Sequence, residues 1–297
     1  MELQQMRYVV AVAETSNFTR AAEQCLVVQS ALSHQIARLE RELGAKLFAR
    51  TSRRVRLTPA GEAFLPAARQ ALDAAERARA EVAAAAGEIR GRLAIGAIST
   101  VAAVDLPAVL KQFRLRHRAV RISLRSGPSE ELIERVRQGT LDAAFLGLPL
   151  GVRPQGVRGR ELARGDFVAV VAPDHPLAGE EHVDLRRLAD EPFVDFPAGT
   201  AGRTYADAAF AAAGLRREVA FEVTSADFMA RLIRQGLGIG MLPAAFASEL
   251  PDLPIVRLRD TPTRIEHLIW SRFQPSPAAA AFLSALGISA ADPSPSA

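Results

Sequence analysis

The run Gln29-Ser-Ala-Leu-Ser-His-Gln-Ile-Ala-Arg-Leu-Glu-Arg-Glu-Leu-Gly44, followed by Lys46-Leu-Phe-Ala-Arg-Thr-Ser-Arg-Arg-Val-Arg-Leu-Thr58, decides how this chain is read. Leu32, Ile36, Leu39 and Leu43 recur at helical spacing and predict one apolar face, with Ser30 as the expected cap and Gly44 as the stop. The opposite face carries Gln29, Ser33, His34, Gln35 and Arg38, with no acid before Glu40. A polar face of that kind suits either plain solvent or base edges in a negatively charged major groove.

The following segment favours the groove. Lys46, Arg50, Arg53, Arg54 and Arg56 fall within Lys46–Thr58 with no carboxylate among them. Arg54-Val-Arg-Leu57 alternates as a strand with one face packed inward, so it predicts a basic wing beside a recognition helix. Upstream, Leu3, Met6, Val10 and Ala13 mark a first helix over residues 2–14, and Asn17 or Thr19 caps a short second one ending near Gln24.

Charge is distributed unevenly. Residues 1–60 hold nine of the 37 Lys and Arg and five of the 33 Asp and Glu, which leaves 28 of each for residues 61–297. The whole formal excess of +4 therefore lies in the first fifth of the chain. Such asymmetry localises a polyanion footprint, whereas a uniformly basic chain would only be sticky.

These motifs, in order and spacing, resemble the winged helix-turn-helix of the LysR-type transcriptional regulators. Phe18-Thr-Arg-Ala-Ala, Gln29-Ser-Ala-Leu-Ser, Ile36-Ala-Arg-Leu-Glu, Leu43-Gly, Leu47-Phe-Ala-Arg and Leu57-Thr-Pro-Ala-Gly61 carry the resemblance, which continues more weakly to about residue 288. It implies DNA contacts from Gln29, Ser30, Ser33, His34, Arg38, Arg50, Arg53, Arg54 and Arg56. His34 stands where the family often has arginine, so operator sequence is not transferred with the resemblance.

Pro59 opens a long Ala-, Arg- and Glu-rich helix expected to reach Ala86, bent near Pro66. Leu65, Ala68, Leu72, Ala75 and Val82 form a short heptad stripe, readable as a dimer seam or as a face packed on its own domain. The resemblance implies the seam, because LysR-type regulators pair through this linker, commonly form tetramers from two dimers, and contact RNA polymerase.

Beyond Gly87–Gly91 the pattern changes. Apolar runs at residues 93–97, 120–124, 143–147, 167–172, 193–196, 219–223, 238–242 and 265–270 alternate with helix-length segments, so an α/β fold with mainly parallel sheet is expected. The expected organisation is a DNA-binding domain at 1–58, a linker helix at 59–88, and an effector domain at 89–288. That domain resembles periplasmic solute-binding proteins, with lobe I at 89–161 and 268–288 and lobe II at 162–267. Residues 289–297, rich in Ala, Pro and Ser, read as a disordered tail.

Ligands of such folds lie where strand ends meet helix starts, whose free N–H groups favour anions. Four junctions qualify: Ser99-Thr100, Gly127-Pro-Ser129, Thr200 with Arg203, and Thr224-Ser225. Each alone reads more readily as ordinary helix capping; together, and with the family resemblance, they predict a site for a small anionic effector.

Other classes lack support. There is no Gly-x-Ser-x-Gly elbow, no His-Glu-x-x-His pair, and the five histidines are scattered, so neither an enzyme nor a cofactor is expected. A solute-binding or enzymatic α/β protein is the alternative. The single Cys25 forbids an internal disulfide and suits a cytoplasmic core position, and no apolar run spans a membrane or reads as a secretory signal.

Overall fold

In the computed structural model, residues 1–50, 55–250, 252–259 and 263–289 are described, with Arg50 described for its backbone only. The chain forms two compact units, Met1–Glu88 and Ile89–Ala297.

The first unit begins with α1 (Leu3–Thr15), α2 (Phe18–Gln24) and α3 (Gln29–Leu43). Asn17 caps α2 by accepting from the Thr19 and Arg20 amides at 2.8 and 3.0 Å, so Asn17 rather than Thr19 fills the role. The turn into α3 passes through Leu26 at φ +55, a left-handed conformation uncommon for a leucine, with its side chain 92% exposed. Ser30 does not cap α3. Val28 occupies that position without a side-chain bond, because the helix starts at Gln29, ahead of the expected cap.

Leu32, Ile36 and Leu39 are fully buried against Val9, Val12 and Ala21, whereas Leu43, last of the expected stripe, is exposed. In α1 the buried face is Met6, Tyr8, Val9 and Val12, rotated from the expected one, and Leu3 faces solvent. Cys25 packs against this core, and burial pushes its thiol pKa up.

Strands β1 (Phe48–Arg50) and β2 (Val55–Leu57) pair antiparallel, with Ala49 opposite Arg56. Helix α4 (Pro59–Ala85) follows, capped by Thr58. A side chain at Gly61 would meet the Leu47 carbonyl at 2.1 Å, so the helix start can approach the wing strand only because glycine is there.

The second unit contains β3 (Gly91–Ala97), α5 (Leu106–Arg116), β4 (Val120–Ser126), α6 (Ser129–Arg137), β5 (Ala143–Pro149) and β6 (Val157–Val170). It continues with β7 (His182–Val183), α7 (Leu185–Leu188), β8 (Pro192–Asp195), α8 (Ala201–Ala212), β9 (Glu218–Glu222) and α9 (Ala226–Arg234). The last elements are β10 (Gly240–Pro243), α10 (Ala244–Ala247), β11 (Ile255–Leu258), β12 (Thr263–Ser271) and α11 (Pro277–Ala285).

All eight expected apolar runs are strands or lie largely within them, but the sheet is mixed rather than mainly parallel. β3 pairs parallel with β4 and β5, while β12 pairs antiparallel with β5 and β6. β6 also pairs antiparallel with β10 and β11. The long strand β6 explains the difference. Residues 157–166 pair with β12, and 167–170 pair with β10 and β11, so one strand serves two lobes. By pairing, residues 162–166 and 263–267 therefore belong with the first lobe's sheet, not with lobe II where the sequence reading put them.

Each lobe has its own cores. Leu93, Ile95, Phe113, Phe145, Trp270 and Phe282 pack on one face of the first sheet, with Leu132, Val136 and Leu146 on the other. In the second lobe, Phe167 and Ala169 point to a core with Phe193, Tyr205 and Phe210, and the alternating Val168 and Val170 to one with Met229 and Ile233. The expected tail falls almost wholly outside the described residues.

Candidate functional site

On α3, Gln29, Ser30, His34 and Arg38 are exposed and Ser33 is half-buried. Gln29 Nε2 donates to Ser33 Oγ at 2.9 Å, which holds the two as one polar group. Arg38 leans to within 4.0 Å of Glu2, both exposed. Gln35 is turned away: its Oε1 accepts from Gln5 Nε2 at 3.2 Å and ties α3 to α1.

Arg56 is exposed at the middle of β2. Lys46, counted among the wing cations, instead pairs with buried Glu40 at 2.9 Å. Glu40 also accepts from the Leu47 and Phe48 amides, at 2.9 and 3.3 Å. Burial pushes its carboxyl up, but these hydrogen bonds prevail and hold it below the ordinary carboxylate range. Arg53, Arg54 and the side chain of Arg50 lie outside the described residues.

Along α4, Leu65, Leu72 and Ala75 are half-buried and Val82 is exposed. Ala68 is fully buried within the single chain, which packs α4 on α1 and adds Arg69–Glu14 and Arg7–Glu76 pairs at 3.3 and 3.9 Å. It therefore serves the face that packs on its own domain.

The second unit encloses a cleft of about 540 Å³ between its lobes. Ser99, Thr100, Gly127, Ser129, Thr200 and Thr224 all line it, as the sequence reading anticipated, but Arg203 and Ser225 do not. Ser225 caps α9 from an exposed position, accepting from the Phe228 amide. Arg203 donates to Asp207 at 2.9 Å, to Glu222 at 3.0 Å and to the Phe196 carbonyl at 3.3 Å. Its Nε and Nη1 are thus engaged within the protein, and the bond to Phe196 ties it to a residue of the cleft wall. Arg217 continues this network, meeting Asp195 at 2.6 Å and lying 4.7 Å over the Phe193 ring.

Local roles also differ from the expected capping. Ser99 and Thr100 do not start a helix, since α5 begins at Leu106 under an Asp105 cap. Ser129 exchanges hydrogen bonds with the Gly147 backbone at 3.1 and 3.2 Å. Thr200 does cap α8.

Sequence reasoning missed the buried centre of the cleft. Arg264 donates through Nη1 to Thr100 Oγ1 at 2.7 Å, and through Nη2 to the Thr100 carbonyl at 2.9 Å and to Glu266 at 2.8 Å. Burial lowers the pKa of this guanidinium, and the Glu266 charge opposes the shift. Glu266 in turn accepts from the Ala102 and Ala103 amides. A side chain on Gly147 would lie 2.6 Å from Arg264 Nε, so a strand glycine makes the room. The signal was present as Arg264-Ile-Glu266, two charges two residues apart in a strand that continues into the apolar run Leu268-Ile-Trp270. Tyr205 also borders the cleft, 5.1 Å from the Phe167 ring, with a buried hydroxyl that has no hydrogen-bond partner among the described residues and whose pKa burial raises.

Among the described residues there is no group of side chains able to hold a metal and no helix long and apolar enough to cross a membrane.

A basic-winged helix-turn-helix joined to a two-lobed cleft is the architecture of a ligand-controlled transcription regulator. The sequence model for the bacterial regulatory helix-turn-helix protein, lysR family, matches residues 3–62, and that for the LysR substrate binding domain matches residues 86–290. The chain is 36% identical over 256 residues to the transcriptional dual regulator GltC of Bacillus subtilis, covering 86% of this chain and 85% of that protein. It is 35% identical to the HTH-type regulator YnfL of Escherichia coli, covering 95% of this chain and 96% of the other.

Full-length CbnR in complex with its target DNA superposes with a TM-score of 0.73 at 26% identity, over 97% of this chain and 99% of CbnR. A full-length OxyR variant from Pseudomonas aeruginosa gives 0.72 at 26% identity, over 98% and 96% of the two chains. The chain belongs to the LysR family of transcriptional regulators, with a DNA-binding helix-turn-helix and an effector-binding domain.

Proposed function

We propose that this regulator reads operator DNA with Gln29, Ser30, Ser33, His34 and Arg38 in the major groove, while Arg50, Arg53, Arg54 and Arg56 grip phosphates or the adjacent minor groove. Residues 1–58 serve as the DNA-binding domain, 59–88 as the linker and 89–288 as the effector domain. Homodimers form through Leu65, Leu72, Ala75 and Val82, with tetramers built from two dimers, and the assembly acts in the cytoplasm on RNA polymerase without catalysing a reaction. A small organic anion bound in the cleft shifts the balance between two arrangements of the oligomer, which requires different affinity for each.

The observation that carries the effector reading is the cleft itself. Ser99, Ser126 and Thr224 line it from both lobes, and their side-chain hydroxyls make no hydrogen bond to another described residue. The N–H groups of Ala201 and Gly202 open α8 at its wall, where no preceding turn can satisfy them. The test captures genomic fragments with purified protein, then measures operator affinity with and without small organic acids. Fragment binding that no organic acid alters, in wild type and in Ser99→Ala alike, would sink the effector half.

A further inference from the structure

Two neighbouring positions in the turn between α2 and α3 break the local rules for their places, and both carry exposed apolar side chains. Leu26 ends α2 in the left-handed region at φ +55, with the Val27 amide closing onto the Ala22 carbonyl at 3.0 Å. Glycine takes that conformation freely, whereas a leucine is strained in it. Val28 holds the N-cap position of α3, where serine, threonine, aspartate or asparagine would accept from an open amide and valine offers no acceptor. Leu26 is 92% and Val28 68% exposed, while Val27 between them packs against the domain core. The turn thus forgoes a relaxed backbone, a helix cap and the burial of two large apolar side chains. Breaches of local preference concentrate where function constrains the residue.

The place of Val28 in the chain fixes its partner. It directly precedes Gln29, and Ser30, Ser33 and His34 follow on the first turns of α3, with no carboxylate between Glu23 and Glu40. Recognition helices of helix-turn-helix proteins meet base edges with their N-terminal residues, so a side chain at the N-cap belongs to that contact surface. The one methyl group that unmodified base pairs display in the major groove is the 5-methyl of thymine. An exposed valine matches it in size and polarity, and pairing the two removes apolar surface of both from water.

Resting on the DNA-reading assignment above, we propose that Val28 is a specificity-determining residue that recognises thymine through its 5-methyl group in the major groove. Serine at this position would cap α3 but would leave the methyl unmatched.

The experiment uses the full-length protein and a duplex recovered by binding-site selection, with deoxyuridine replacing thymidine at one position at a time. Uracil pairs as thymine does and lacks only the methyl. Wild type is expected to lose about fourfold in affinity at one or more positions, the worth of one methyl-sized group kept from water. Val28→Ser should bind the thymine and uracil duplexes alike at that position, and should melt no lower than wild type because it gains a cap acceptor. Val28→Ala, as poor a cap as valine, should lose the thymine preference too, which separates the apolar contact from the change in capping. Insensitivity of wild type to every single replacement overturns the proposal, and so does a thymine preference that survives in both variants. The DNA-reading assignment itself survives such a result if Ser33→Ala or His34→Ala still changes the sequences selected; it fails with the proposal if no substitution at positions 28, 33 and 34 alters them.

Discussion

Glu40 of the recognition helix accepts the Leu47 amide at the start of the wing at 2.9 Å, seven residues along the chain and fully inside the domain. One buried carboxylate thereby ties the wing to α3. Glu40→Ala leaves two amides and an ammonium without their acceptor, and should cost about 2–3 kcal/mol in urea unfolding of the protein. Because the folded-state pKa of Glu40 is depressed, its contribution is fully present above the ordinary carboxylate range and is lost as pH falls through the folded value. Glu40→Gln should therefore flatten the acid limb of the stability profile; an identical limb in the variant would remove Glu40 from the account.

Arg56 and His34 should separate grip from reading. Arg56→Ala is expected to weaken operator and random DNA alike and to reduce the salt slope by about 0.9. His34→Ala should instead change the sequences recovered by binding-site selection, since a base contact contributes roughly 1–3 kcal/mol of discrimination. Swapped behaviours would reverse the two assignments.

Leu72 lies half-buried on α4, on the stripe whose Ala68 is already covered by its own chain. Leu72→Glu should dissociate the oligomer in sedimentation and leave weak half-site DNA binding, because one head of a paired reader is lost. A normal assembly with normal affinity would place Leu72 outside the seam.

Arg203 and Ser99 should differ in kind. Arg203→Met removes the support behind Phe196, so both melting temperature and effector affinity fall. Ser99→Ala touches no internal hydrogen bond, so effector affinity falls while melting in the absence of ligand stays within about 0.5 kcal/mol of wild type. Equal loss of stability in both variants would contradict this division.

Tyr205 carries a buried hydroxyl without a partner among the described residues. Removing it should stabilise the ligand-free protein by about 1 kcal/mol, the desolvation cost of one unsatisfied group. Thermal unfolding of Tyr205→Phe decides the point: a lower melting temperature would mean the hydroxyl is satisfied after all.

Sequence alone determined the elements whose causes are local. Asn17, Pro59 and Gly44 mark helix ends, Leu32, Ile36 and Leu39 recur at the period that buries one face, and the acid-free stretch after Lys46 declares a polyanion partner. Strand ends could be read from residue order, which led to Ser99, Thr100, Ser129, Thr200 and Thr224, although Ser99 and Thr100 lie in a loop and start no helix. What depends on distant partners could not be read. Whether Lys46 faces DNA or Glu40, and whether Arg203 meets a ligand or Asp207, is decided by which carboxylate the fold brings within 3 Å. Arg264 reaches Thr100 across 164 residues, and β6 joins two lobes because its two halves find different neighbours. Periodicity records which face of an element is buried; only tertiary packing supplies what it is buried against.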